Sequence, residues 1–152
     1  MKAVIQRVSR ADVSVDGKVC GACAKGLMIL LGVACGDSEE DAELLAAKIC
    51  KLRIFTDEND KMNLSLKDID GEALIISQFT LMANYRHGNR PDFLESAPQA
   101  EANRLYEYFK SLMAKEVRRV ESGIFGANME VSLVNDGPVT IVMDSEVLRK
   151  KS

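Results

Sequence analysis

The sequence predicts an α+β domain: a curled, mainly antiparallel sheet with two long helices packed along one side. Three observations point there. Segments with β-type alternation or short apolar runs recur along the chain, separated by Asp-Gly and other turn signals. Two segments only, residues 38–52 and 98–116, repeat apolar residues at helical spacing. A length of 152 residues is one domain's worth, enough to bury a real core.

Residues 2–15 alternate Val4, Gln6 and Val8 with Ala3, Ile5 and Arg7, and Val13 and Val15 continue the β pattern. Asp16-Gly17 is a hairpin signal, with a return strand over 18–23. The apolar run 27–33, bounded by Gly26 and Gly36, reads as a buried strand. Ser38-Glu39-Glu40-Asp41 resembles a capping box, with acids suited to the positive end of the helix dipole. Leu45, Ile49 and Leu52 then form one stripe. Ile54-Phe55 starts another extended segment, and 56–61 is a polar turn. Residues 73–80 follow the Asp70-Gly71 turn as a strand, apolar until Ser77. Residues 83–97, with Gly88 and Pro91, form a loop of the kind that carries binding residues on a rigid scaffold. Pro98 opens the second helix, with Leu105, Phe109, Leu112 and Met113 on its apolar stripe. In that helix Tyr106 and Tyr108 read as packing or partly exposed residues. Residues 129–134 and 139–143 are two strands flanking Asn135-Asp136-Gly137-Pro138, and the polar tail from Ser145 is expected to fray. A single domain is expected to span residues 1–152, without repeats or linkers.

Composition narrows the function. With 47% hydrophobic and 28% charged residues the chain reads as ordinary soluble protein. Its longest apolar run, 27–31, is far too short to cross a bilayer, so no membrane association is expected. The first residues turn charged too early for a signal peptide, which makes the cytoplasm the default location. A net charge of −3 excludes a generic polyanion binder. Any RNA contact must come from a local patch: Arg86, His87 and Arg90; Lys115, Arg118 and Arg119; or Arg149, Lys150 and Lys151. Cys20-Gly-Ala-Cys23 suggests zinc or redox chemistry, but zinc wants a second pair or histidines and His87 is the only histidine. On a strand, positions three apart face opposite sides, so buried, inert thiols are expected and no metal or other cofactor.

Two segments carry the chemistry. Ser77-Gln78-Phe79-Thr80-Leu81 puts polar side chains at the end of an apolar strand, and Asn135-Asp136-Gly137-Pro138-Val139-Thr140 holds a Gly-Pro step where a strand should start. Ser77 or Thr80 could be a nucleophile with His87 as its base, but no nucleophile elbow is present, and hydroxyls at strand ends also cap backbone. By itself, Asn135-Asp136-Gly137 is a turn needing positive φ, Arg7 a surface arginine on a strand, and Phe125 a core residue.

These two blocks occur in order with Ile5-Gln6-Arg7-Val8, Arg53-Ile54-Phe55-Thr56-Asp57, Lys61-Met62-Asn63-Leu64, Gly88-Asn89-Arg90-Pro91-Asp92-Phe93 and Gly123-Ile124-Phe125-Gly126-Ala127. The ordered set, from Met1 to about Asp144, resembles the D-aminoacyl-tRNA deacylase family. The resemblance implies a barrel-like sheet, a homodimer, and hydrolysis of the ester of D-aminoacyl-tRNA, with glycyl-tRNA also accepted. It implies that Gln78, Phe79 and Thr80 do the catalytic work, mainly by positioning and through main-chain amides. Ser77, Phe125, Ala127 and Met129 would bind the aminoacyl-tRNA 3′ end, the last three at the terminal adenosine. Gly137 and Pro138, in the cis form, would reach into the partner's site and exclude L side chains, with Arg7 as their brace. Asn84-Tyr85-Arg86-His87 departs from the family's usual smaller polar and basic residues, which leaves that loop's shape open. Two other classes stay in view: an esterase with a side-chain nucleophile, and a module that binds tRNA ends without turnover.

Overall fold

The computed structural model describes residues 1–149, so Lys150 and Lys151 of the third basic cluster lie outside the described residues. Strand β1 (Lys2–Val15) is the spine of the fold. It pairs antiparallel with β2 (Lys18–Cys23), β3 (Gly26–Gly32) and β8 (Glu130–Asp144). β6 (Glu72–Ser77) then runs parallel to β3, and β7 (Arg119–Ser122) parallel to β6. The path β2-β1-β3-β6-β7 curls until its ends meet. There the Ala22 N–H donates to the Glu121 carboxylate at 2.8 Å. A Cβ on Gly21 would lie 2.4 Å from the Ser122 carbonyl oxygen, so only glycine admits this approach. The sheet is therefore mixed and nearly closed, with a separate small ribbon of β4 (Phe55–Thr56) and β5 (Met62–Leu64).

Helices α1 (Glu39–Lys51) and α2 (Gln99–Glu116) pack outside the curl, as expected. The capping box forms: Asp41 Oδ2 accepts the Ser38 N–H at 2.8 Å. Leu45, Ile49, Leu105, Phe109 and Met113 bury against Ile5, Leu27, Ile29 and Leu31. A second cluster fills the inside of the curl with Val8, Val13, Met28, Leu74 and Ile76. β3 and β6 are thus covered on both faces, which is why they read as continuous apolar runs.

Several expectations are corrected. The two strands expected over 129–134 and 139–143 are one strand, β8, which starts at Glu130 and from which residues 136–139 bulge. β5 and β7 are additional short strands; β7 offers only four residues and no alternation. The strand expected over 73–80 ends at Ser77, and Phe79–Met82 turns into a short 3₁₀ helix. The tail is folded through Arg149 as α3 (Ser145–Arg149). The Ser145 hydroxyl donates to Asp41 at 2.7 Å, and Arg149 pairs with the same carboxylate at 2.7 Å. Polar side chains there are bonded rather than solvated. The thiols also divide. Cys23 and Cys50 are buried, and burial pushes each up to about 11, whereas Cys20 and Cys35 are exposed. Among the described residues no helix is long and apolar enough to cross a membrane.

Candidate active site

Where β3 and β6 end, the curl opens into a cleft of about 650 Å³. Its floor is apolar: Leu30, Ile76, Met129 and Val131, continuous with the inner core. One wall is the segment Ser77–Thr80, and the facing rim carries Phe125, Gly126, Ala127 and Asn128. The start of α2, with Pro98, Gln99 and Ala102, closes a third side. Seven of the residues singled out from sequence therefore share one cleft: Ser77, Gln78, Phe79, Thr80, Phe125, Ala127 and Met129.

The strand-to-3₁₀ switch shapes the polar wall. The Gln78 N–H still bonds across the sheet to the Leu31 carbonyl at 2.8 Å. The turn's first internal bond is Leu81 N–H to Gln78 C=O, 3.3 Å. The N–H groups of Phe79 and Thr80 fall between these two bonds and, among the described residues, have no protein acceptor. The Gln78 amide donates to Thr80 Oγ1 at 2.8 Å. Phe79 is 56% exposed and stands edge-on to Phe93, ring centroids 5.0 Å apart. Across the cleft Phe125 leans on the buried Tyr106, 6.0 Å between centroids. The Tyr106 hydroxyl donates to the Ile75 carbonyl at 2.9 Å, and burial pushes it up to about 12, so it is a packing residue. Among the described residues no hydrogen bond links His87 to Ser77 or Thr80, which leaves both hydroxyls without that base.

Arg7, Gly137 and Pro138 do not line this cleft. Gly137 and Pro138 are exposed and joined by a cis peptide bond. Arg7 is no surface arginine; it is 9% exposed. Its Nε donates to the Asp136 carbonyl at 2.8 Å and its Nη1 to the Ile54 carbonyl at 2.8 Å. The Asn135 side chain closes the bulge, accepting from the Val139 N–H at 2.7 Å and donating to Thr140 Oγ1 at 3.0 Å. Gly137 has φ +142°, and a Cβ there would meet Val139 and the Arg7 guanidinium at 2.8–3.0 Å.

A family model described as D-Tyr-tRNA(Tyr) deacylase matches residues 4–144. The chain belongs to the D-Tyr-tRNA(Tyr) deacylase family. A D-aminoacyl-tRNA deacylase of Caldicellulosiruptor saccharolyticus is 57% identical over 146 residues, 96% of this chain and 98% of that protein. One from Ruegeria pomeroyi is 56% identical over 144 residues, 95% of this chain and 99% of its own. Among solved structures, a c-Myc DNA unwinding element binding protein superposes with TM-score 0.90 at 41% identity, covering 95% of this chain and 98% of its own. A probable eukaryotic D-amino acid tRNA deacylase, at TM-score 0.79 and 17% identity over 94% of this chain and 98% of its own, is a likeness of fold alone.

In this deacylase-family chain the sequence reading missed Leu30, Ser96, Gln99, Ala102 and Asn128 as cleft residues. Leu30 was hidden in a run apolar on both faces. Gln99 and Ala102 reach the cleft only because α2 starts there. No local pattern marks them.

Proposed function

We propose that this cleft hydrolyses the ester of D-aminoacyl-tRNA, releasing the D-amino acid and free tRNA. The observation that carries the reading is the pair of unbonded main-chain N–H groups at Phe79 and Thr80, beside the Gln78 amide, in a cleft with an apolar floor. An aminoacyl ester is already activated, so positioning and oxyanion stabilisation suffice. Water adds to the ester carbonyl, and the charge that develops on its oxygen meets the Phe79 and Thr80 N–H groups. The C–O bond to the ribose then breaks, and the leaving ribose oxygen takes up the proton that the attacking water gives up. The neighbouring 2′-hydroxyl of the substrate relays that proton, so no side-chain base and no cofactor is called on. Gln78 holds the ribose end, Ser77 borders the aminoacyl group, and Phe125, Ala127 and Met129 receive the adenine by stacking and close approach.

Selectivity is assigned to Gly137-Pro138 of a second copy in a homodimer. These residues are exposed and away from their own cleft, which supports a role across subunits. Their carbonyls fix the substrate ammonium, and rigid backbone stands where an L side chain would lie. Glycine, with no side chain, passes the same filter, so glycyl-tRNA is a substrate. Arg7 holds the bulge through the Asp136 carbonyl. The test is paired deacylation of D-tyrosyl-tRNA and L-tyrosyl-tRNA with enzyme well below substrate. Loss of the D ester alone is the expected result. Equal loss of both removes the chiral argument, and tRNA binding without turnover replaces the esterase by a binding module.

A further inference from the structure

The loop bordering the cleft carries a surface that the chemistry above does not use. It leaves the 3₁₀ turn after Met82, and Asn84 and Asp92 pinch its neck with reciprocal N–H to C=O bonds of 2.9 and 3.0 Å. Directly beyond the neck, Phe93 stacks edge-on against Phe79, and Ser96 and Ala97 line the cleft. The excursion is therefore anchored at the cleft mouth, with its tip projecting from it.

The tip, residues 85–91, reads Tyr-Arg-His-Gly-Asn-Arg-Pro. It contains two arginines and the only histidine, and no carboxylate, in a chain of net charge −3. Asp92 sits at the neck with Oδ1 accepting the Leu94 N–H at 3.3 Å, and Glu95 lies beyond. Tyr85 is 80% exposed and Leu94 83%. Of the other seven arginines, Arg10 on β1 is exposed and six are engaged: Arg104 with Glu101 and Glu39, Arg118 with Asp70 and Glu72, Arg119 with Glu121, Arg149 with Asp41. Arg53 bonds Asn63, and Arg7 is buried on carbonyls. Among the described residues, the side chains of Arg86 and Arg90 have no acceptor. Four of the surface arginines elsewhere find carboxylates; these two share one short loop tip that holds none, beside an exposed aromatic ring.

We infer that this tip docks the single-stranded RNA just upstream of the terminal adenosine, with Arg86 and Arg90 on phosphates and Tyr85 stacked on a base. The inference rests on the tRNA-ester reading of the cleft. Unpaired cations interleaved with an exposed ring are what a short single strand requires: charge for its phosphates and a π-face for a base. Continuity with the cleft fixes the occupant as the substrate's own 3′ tail, because the strand leaving the adenosine must pass the cleft mouth.

The test compares wild type, Arg86→Ala/Arg90→Ala and Tyr85→Ala on two esters of one D-amino acid, the full tRNA and adenosine alone. The ratio of kcat/KM on tRNA to that on adenosine is expected to fall about ten-fold in the double variant and at least about five-fold in Tyr85→Ala. The salt dependence of kcat/KM on tRNA should flatten by about 1.4 in log–log slope for two lost single-strand phosphate contacts. An unchanged salt slope overturns the inference. So does an equal loss on both esters, which would mean the loop acts only through Phe93 and Phe79. A changed oligomeric state in place of an RNA-dependent loss assigns the tip to subunit contact and equally overturns it. A wild type that cleaves neither D ester is a separate result: it removes the esterase reading itself.

Discussion

Arg7→Lys separates a brace for selectivity from a brace for stability. In the structure the guanidinium spans two carbonyls at once, Asp136 through Nε and Ile54 through Nη1, both at 2.8 Å, in a 9% exposed setting. Lysine keeps the charge but lacks the planar fork, so it can retain one of the two bonds. A hydrogen bond from a charged donor is worth about 1.5–3 kcal/mol net, and that is the expected loss. In a domain of this size it lowers Tm by roughly 3–12 °C. If the Asp136 bond is what holds the 136–139 bulge in one conformation, the same energy frees the bulge. Discrimination between D- and L-tyrosyl-tRNA should then fall roughly ten- to a hundred-fold. The assay is kcat/KM on both esters beside a thermal melt of the same preparation. A Tm drop in that range with the D/L ratio within two-fold of wild type would refute the bracing argument and leave Arg7 a purely structural residue.

Three other perturbations have definite outcomes. Thr80→Ala keeps the main-chain N–H and loses only a hydroxyl that accepts from Gln78, so kcat should stay within about ten-fold of wild type. Gln78→Ala should cost roughly a hundred-fold, and a complete loss in Thr80→Ala with a trappable adduct would reinstate a covalent mechanism. Gly26→Ala would place a Cβ 1.8 Å from the Glu72 carbonyl oxygen, backbone against backbone between β3 and β6. Urea titration should show a loss of about 1–3 kcal/mol or no folded protein, and an unchanged midpoint would contradict the close approach. The Ala24 N–H and then Arg118 hold the Glu72 carboxyl below its ordinary 4.5 against the opposing effect of burial. A depressed folded pKa stabilises above the unfolded value and the benefit disappears as pH falls through the folded one. Wild type should therefore lose stability below about pH 4.5, and Glu72→Gln should show a shallower decline there from a lower plateau at pH 7. Parallel pH curves for the two proteins would rule Glu72 out as a source.

The parts of the fold legible in the sequence are those decided within a few residues. The Asp16-Gly17 hairpin, the Ser38 capping box and the α2 stripe opened by Pro98 all follow from local backbone preference and periodicity. The ordered motifs likewise identified the family and seven residues of the cleft. Where periodicity was misleading, long-range pairing had overruled it. Ser77 ends β6 because the sheet ladder stops at Leu31, and Gln78 onward turns away into the 3₁₀ helix. Residues 130–135 and 140–144 are one strand because β1 is long enough to pair with both, leaving 136–139 as a bulge.

By itself, then, the sequence determined the two long helices, the first hairpin and the family to which the chain belongs. Only the tertiary structure decided what the motif residues face. Arg7 is buried because a carbonyl 129 positions away and another 47 positions away converge on it. Cys20 and Cys23 part company because β2 has a solvent face and a core face. The Phe79 and Thr80 N–H groups are left unbonded because two long-range constraints, the Leu31 bond and the Phe93 ring, hold the turn between them. Local patterns encode backbone preference; burial, pairing and the opening of the cleft depend on chain segments that meet only when the sheet curls.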